Sequence, residues 1–126
     1  MGQLRMEKVQ ELMKQEISKI LLQDVKDPGL GFVTVTDVHC SPDLRKARVF
    51  VSLMGNGQQM RDSLRALKRC SGYIRREMGS RVRLRYTPEL TFAIDTSLAY
   101  SAHIQELLLK IEKEEGQGNG DADKSE

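Results

Sequence analysis

The sequence predicts a single α+β domain, a three-stranded sheet with helices packed on one of its faces. Three observations carry that expectation. Apolar residues recur at helical spacing near the N-terminus and again from Met60 to Met78. Between those segments, two runs alternate apolar and polar residues with period two. A third apolar run follows the second helical segment, so the order is helix, strand, strand, helix, kink, helix, strand, with a trailing helix.

The first helix rests on Met6, Val9, Leu12, Met13, Ile17, Ile20 and Leu21, spaced three and four apart. Lys8, Glu11, Lys14 and Lys19 fall elsewhere on the wheel. Asp27-Pro28-Gly29 stops the helix and turns the chain. In the segment from Phe32 to Thr36, Val33 and Val35 alternate with threonines, which predicts a strand. Ser41-Pro42-Asp43 supplies a turn. Ala47, Val49, Val51 and Leu53 then alternate with Lys46, Arg48, Phe50 and Ser52, as in a sheet covered on one face only.

Gly55-Asn56-Gly57 leads into the segment from Gln58 to Gly79. Met60, Leu64, Leu67, Ser71, Ile74 and Met78 form one helical stripe along it. Gly72 inside that stripe costs a helix about 1 kcal/mol relative to Ala. A kink at Ser71-Gly72 is therefore expected, dividing the segment into two short helices. The third strand is expected from Val82 towards Asp95, with a bulge or edge position at Pro88. Asp95, Thr96 and Ser97 offer caps for a last helix carrying Leu98, Ala102, Leu107, Leu108 and Ile111. The folded domain is thus expected over residues 1–112. Residues 113–126 form an acidic tail expected to be disordered, because Gly116–Glu126 contains no large apolar residue.

Composition excludes several classes. No apolar run approaches the roughly 18–20 residues that a membrane-spanning helix needs. The stretch from Met1 to Arg5 lacks the apolar core of a signal peptide. Met6 stands where an N-myristoylation motif needs Ser or Thr. Two cysteines, Cys40 and Cys70, build no disulfide framework and fit a reducing, cytoplasmic setting. The phosphate-loop, dinucleotide, zinc-protease and serine-hydrolase motifs are absent. His39, Cys40, Cys70 and His103 contain no C-x-x-C pair, and adjacent strand residues point to opposite faces. No metal and no cofactor is expected.

The charge distribution is the functional signal. The formal net charge is +2, yet residues 41–90 hold 12 Lys/Arg against 4 Asp/Glu. Residues 104–126 hold 3 against 7. A basic body with an acidic end suits a polyanion partner. The strongest constellation is Arg61, Arg65, Lys68, Arg69, Gly72, Arg75 and Arg76, of which 61, 65, 68, 69, 72 and 76 cluster on the helical face opposite the apolar stripe. Gly72 would let a sugar–phosphate backbone come close, and a helix restarting at Ser71-Gly72 would offer unpaired N–H groups to an anion. Arg81, Arg83 and Arg85 alternate and would extend the surface along one face of the third strand. These cations would equally serve as a solvated helix face. Six Phe and Tyr and no Trp argue against a stacking-led reader of single strands, and favour recognition of backbone and shape.

At these residues the chain resembles a known family. Asp27-Pro-Gly-Leu-Gly-Phe-Val-Thr-Val-Thr-Asp37, Ser41-Pro-Asp-Leu-Arg-Lys-Ala-Arg-Val-Phe-Val51 and Gly72-Tyr-Ile-Arg-Arg-Glu-Met-Gly79 carry the resemblance. Leu84-Arg-Tyr-Thr-Pro-Glu-Leu-Thr-Phe92, with Asp95 and Ser97, is its most specific part. From about Arg5 to Ile111 the sequence is similar to bacterial ribosome-binding factor A. The resemblance implies a type II KH-like fold with an Ala-x-Gly kink in place of the G-x-x-G loop. Here Cys70-Ser71-Gly72 has Cys where the family has Ala.

The resemblance further implies a non-enzymatic factor that binds the free small (30S) ribosomal subunit and its 16S rRNA near the 5′-terminal helix. It implies assistance in late maturation and 5′-end processing, growth in the cold, and a GTPase that releases the factor. The charged surface offers no large apolar patch, so a monomer is expected. Two other readings stay open at the level of the residues. One is a small metal-dependent RNA-processing hydrolase using Asp37, His39 and Asp95. The other is a protein-interaction module using the Met-rich first helix or the acidic tail.

Overall fold

Residues 2–116 are described by a computed structural model. Helix α1 runs over Gly2–Gln23 and buries Met13, Ile17, Ile20 and Leu21, at the spacing that predicted it. Leu12 departs from the expected stripe and is 44% exposed. Consecutive helical residues lie about 100° apart, so Leu12 cannot share the centre of a face already held by Met13.

Strand β1, Val33–Cys40, pairs antiparallel with β2, Lys46–Leu53. Its register shifts between Val35 and Asp37, so Thr36 forms a bulge. The extra residue resets the alternation, which is why Val35 and Val38 are buried three positions apart. This hides the second half of β1 from a period-two reading. On β2 the alternation holds, with Ala47, Val49, Val51 and Leu53 all buried.

Strand β3, Glu89–Ile94, lies parallel to β2, giving the order β1-β2-β3. It begins after Pro88 rather than spanning it. Proline has no N–H for the ladder, and the pairing starts where Glu89 N–H donates to the Arg45 carbonyl at 2.8 Å. Residues 82–88 are a connection, anchored by buried Val82 and fully buried Pro88.

The second helix corrects the expected break. One helix, α2, runs without interruption over Gly57–Arg81. The Ser71 hydroxyl donates to the Lys68 carbonyl at 2.9 Å, inside the helix, and Gly72 has no positive φ. The unfavourable propensity of one glycine is outweighed by Leu64, Leu67, Ile74 and Met78, fully buried on either side of it. There is no second helix start at Ser71-Gly72, so its N–H groups are taken by the helix. At the true start, Asn56 and Gln59 form a reciprocal capping box.

After β3, the Asp95 carboxylate accepts from the Ser97 N–H at 3.0 Å and caps a 3-10 turn, Thr96–Leu98. Helix α3 begins later than expected, at Ala102–Ile111, with Ser101 as its cap. Leu98 is left 60% exposed. The chain then continues into a π-helical turn, Glu112–Gly116. Residues 113–116, expected in the tail, are part of that turn, and residues 117–126 lie outside the described ones. Among the described residues no helix is long and apolar enough to cross a membrane.

Candidate nucleic-acid interface

The residues that α2 buries fix the face it leaves outside. With Leu64, Ala66, Leu67, Ile74 and Met78 in the core, Arg65, Arg69, Gly72, Arg75 and Arg76 are exposed, and Arg61 and Lys68 half-buried. Gly72 sits among these cations, and a Cβ placed on it would meet no atom within 4 Å. The face is open there, as a close approach by a partner's backbone requires.

The face divides into a paired half and an open half. Towards the start of α2, Arg61 Nε donates to Glu114 at 2.8 Å. Arg65 grips Glu115 through Nε and Nη2 at 2.8 and 2.9 Å, with Asp62 at 3.6 Å. Arg69 grips Asp27 in the same two-pronged way, at 3.0 and 2.8 Å. Bidentate guanidinium–carboxylate pairs are the strong form of this interaction.

Asp27 also accepts the Gly29 N–H at 2.9 Å. Arg69 and that backbone bond hold its carboxyl down to about 2. A Cβ on Gly29 would stand 2.9 Å from Arg69 Nη2, so the glycine of the Asp27-Pro28-Gly29 turn clears the path for the pair. Burial pushes the Lys68 ammonium down, against the pull of Glu115 and Glu112.

Farther along α2, Arg75 and Arg76 pair with no carboxylate among the described residues. Arg75 donates to the Thr87 carbonyl at 2.8 Å, and Arg76 lies 6.0 Å from the Tyr73 ring centre. Arg83 and Arg85 are exposed on the connection after α2. Arg81, Arg83 and Arg85 therefore do not line one strand face. Arg81 closes α2 and pairs with Asp24 at 2.7 Å, with Glu77 and Glu16 at 3.6 and 3.7 Å.

Two further residues join the open half. The Arg45 guanidinium stacks 3.9 Å over the Tyr86 ring, which also faces Arg85 at 5.7 Å. Arg45 lies in the turn between β1 and β2, and sequence reasoning missed it. One local signal is structural: Leu44, beside it, has φ +62°, an uncommon conformation for a non-glycine residue.

The residues considered for metal chemistry are used otherwise. His39 Nε2 and Asp37 Oδ2 lie 2.8 Å apart, and Asp95 is bonded to Thr36 and Ser97. Among the described residues, no three or more His, Cys, Asp or Glu are placed to hold a metal ion. Burial, with the nearby Asp27 charge, pushes the Cys70 thiol up, so it is poorly suited to react as a thiolate.

The family model for ribosome-binding factor A matches residues 5–108. The chain belongs to the ribosome-binding factor A family. A ribosome-binding factor A of Desulfitobacterium hafniense is 47% identical over 122 residues, covering 97% of this chain and 98% of the relative. That of Natranaerobius thermophilus is 50% identical over 111 residues, covering 88% and 85%. The crystal structure of ribosome-binding factor A from Thermus thermophilus superposes with a TM-score of 0.63 at 27% identity, covering 71% of this chain and 94% of that one. A homology model of Thermus thermophilus ribosome-binding factor A, as fitted into the cryo-EM map of a 30S complex, gives a TM-score of 0.53 at 27% identity, covering 78% of this chain and 98% of that one.

Proposed function

We propose that the protein is a non-enzymatic ribosome assembly factor. It binds the free small (30S) ribosomal subunit and its 16S rRNA near the 5′-terminal helix, as a monomer in the cytoplasm. It holds an rRNA conformation during late maturation while other factors complete 5′-end processing, and a GTPase releases it. The KH-like fold presents α2 and the 82–88 connection to RNA phosphates. Arg61, Arg65, Lys68, Arg69, Arg75, Arg76, Arg81, Arg83 and Arg85 supply the cations, and Gly72 within Cys70-Ser71-Gly72 supplies the close approach. The observation that carries this reading is the coincidence of family membership with one exposed basic helix face that has an open glycine in it.

Sedimentation of the tagged protein from a lysate tests it. The protein is expected with free small subunits and not with intact ribosomes. Arg75→Glu with Arg76→Glu should release it while the thermal melt is kept. A protein that sediments with neither particle, or a double variant that sediments as before, would overturn the proposal.

A further inference from the structure

The basic face is not equally available along its length. Arg61 and Arg65, one helical turn apart, are each held at 2.8 Å by the consecutive carboxylates of Glu114 and Glu115. The Glu115 side chain is only 13% exposed, so it is seated against α2 rather than solvated. The hydrogen bond from Arg61 in turn holds the Glu114 carboxyl below its usual range. A carboxylate on a guanidinium fork has the geometry of a phosphate on the same fork. The acidic turn therefore occupies the positions an RNA backbone would take on those two arginines. Among the described residues, Arg45, Arg75, Arg76, Arg83 and Arg85 carry no such occupant.

Resting on the RNA-binding reading above, we propose that the turn Glu112–Gly116 is an intramolecular stand-in for RNA phosphates on Arg61 and Arg65. The resting protein offers RNA only the half of its basic surface around Tyr86. RNA that engages this half then displaces Glu114 and Glu115 and gains the rest of α2. Each displaced pair lowers the affinity of the resting protein by the stability of that pair, because apparent affinity scales with the fraction in the open form. The device also filters ligands. A short or weakly charged anion satisfies the open half without opening the turn, whereas a longer phosphate backbone reaches both.

The test compares Glu114→Gln with Glu115→Gln in one chain against Glu7→Gln with Glu11→Gln in another, a matched change of charge on α1. Binding to a labelled RNA hairpin and to purified free small subunits is measured across a salt series, with amide exchange of residues 112–116 followed in the wild type. With both pairs removed, the first variant should bind about five- to tenfold tighter. The α1 variant should gain much less. RNA should speed amide exchange in the turn, since the turn leaves α2. Equal gains in the two variants, or a turn whose amides exchange more slowly with RNA bound, would overturn the proposal. Failure of the RNA-binding reading looks different: the wild type then binds neither probe, or Arg75→Glu with Arg76→Glu changes nothing.

Discussion

Replacing Gly72 by alanine separates what the helix wants from what a bound partner needs. The glycine lies well inside the 25-residue α2, with helix on both sides. Its φ is negative and a Cβ there would touch nothing within 4 Å. Neither strain nor a clash then opposes the substitution, and the full propensity difference of about 0.8–1 kcal/mol should appear as added stability. At about 2.1 cal/mol/K per residue, unfolding a domain of this size carries roughly 240 cal/mol/K, so Tm should rise by about 4 °C.

Calorimetry or a circular dichroism melt reads this directly, and the urea slope should be unchanged. Gly72→Val should also be tolerated, because valine is a better helix residue than glycine even though it falls short of alanine. Binding should move the other way. Alanine should weaken small-subunit binding slightly and valine more, with net charge constant, if a phosphate backbone passes over this position. A lower Tm for Gly72→Ala would refute the reasoning, since it would mean that the helix bends at Ser71-Gly72 in a way only glycine permits. A raised Tm with both variants binding as the wild type does would show that the open position is not approached.

Gly79→Ala should do the opposite, since its Cβ would stand 2.8 Å from Thr87 Oγ1 and 2.9 Å from its Cγ2; a loss of about 1–2 kcal/mol is expected by urea titration, recovered when Thr87→Ala is added. Asp27 has a folded pKa of about 2, below its ordinary 3.8, so it contributes stability at neutral pH that is lost as pH falls from about 4 towards 2. Asp27→Asn should flatten that acid limb, and parallel pH profiles for the two proteins would refute the assignment. Glu112 is pushed up by burial, although it accepts the Ile94 N–H at 2.6 Å. A raised carboxyl favours the fold in its protonated form, and that stability is lost as pH rises through the folded pKa. Glu112→Gln keeps an acceptor for Ile94 and should be more stable than the wild type at pH 7, with the advantage vanishing in acid. A difference independent of pH would contradict it.

The fold was legible wherever a period ran unbroken. Met13, Ile17, Ile20 and Leu21, the four apolar residues of β2, and Leu64 through Met78 all lie where spacing put them. The misplacements have separate causes, packing in one and backbone chemistry in the other. Gly72 was expected to break α2, yet the buried residues flanking it hold the helix together. The apolar run after Val82 was expected to be one strand, yet Pro88 lacks the donor that the ladder needs, so β3 starts at Glu89. Arg81, Arg83 and Arg85 moved with it, from a strand face to a helix end and a connection.

The cations of α2 were legible too, because a helical wheel needs only the sequence of one helix. Their partners were not. Asp27 lies 42 residues from Arg69, and Glu114 and Glu115 lie 53 and 50 residues from Arg61 and Arg65. No periodicity connects such positions; only the tertiary fold does. The sequence showed a basic middle and an acidic end as separate facts about one chain. The fold brings the start of that acidic end onto half of the basic face. A polyanion therefore meets two surfaces instead of one: an open one around Arg75, Arg76 and Tyr86, and one it must win from the protein's own carboxylates. Total charge is the same whether those pairs are closed or open, so net charge alone cannot predict the affinity. Which arginines are already occupied sets the order in which RNA can engage them.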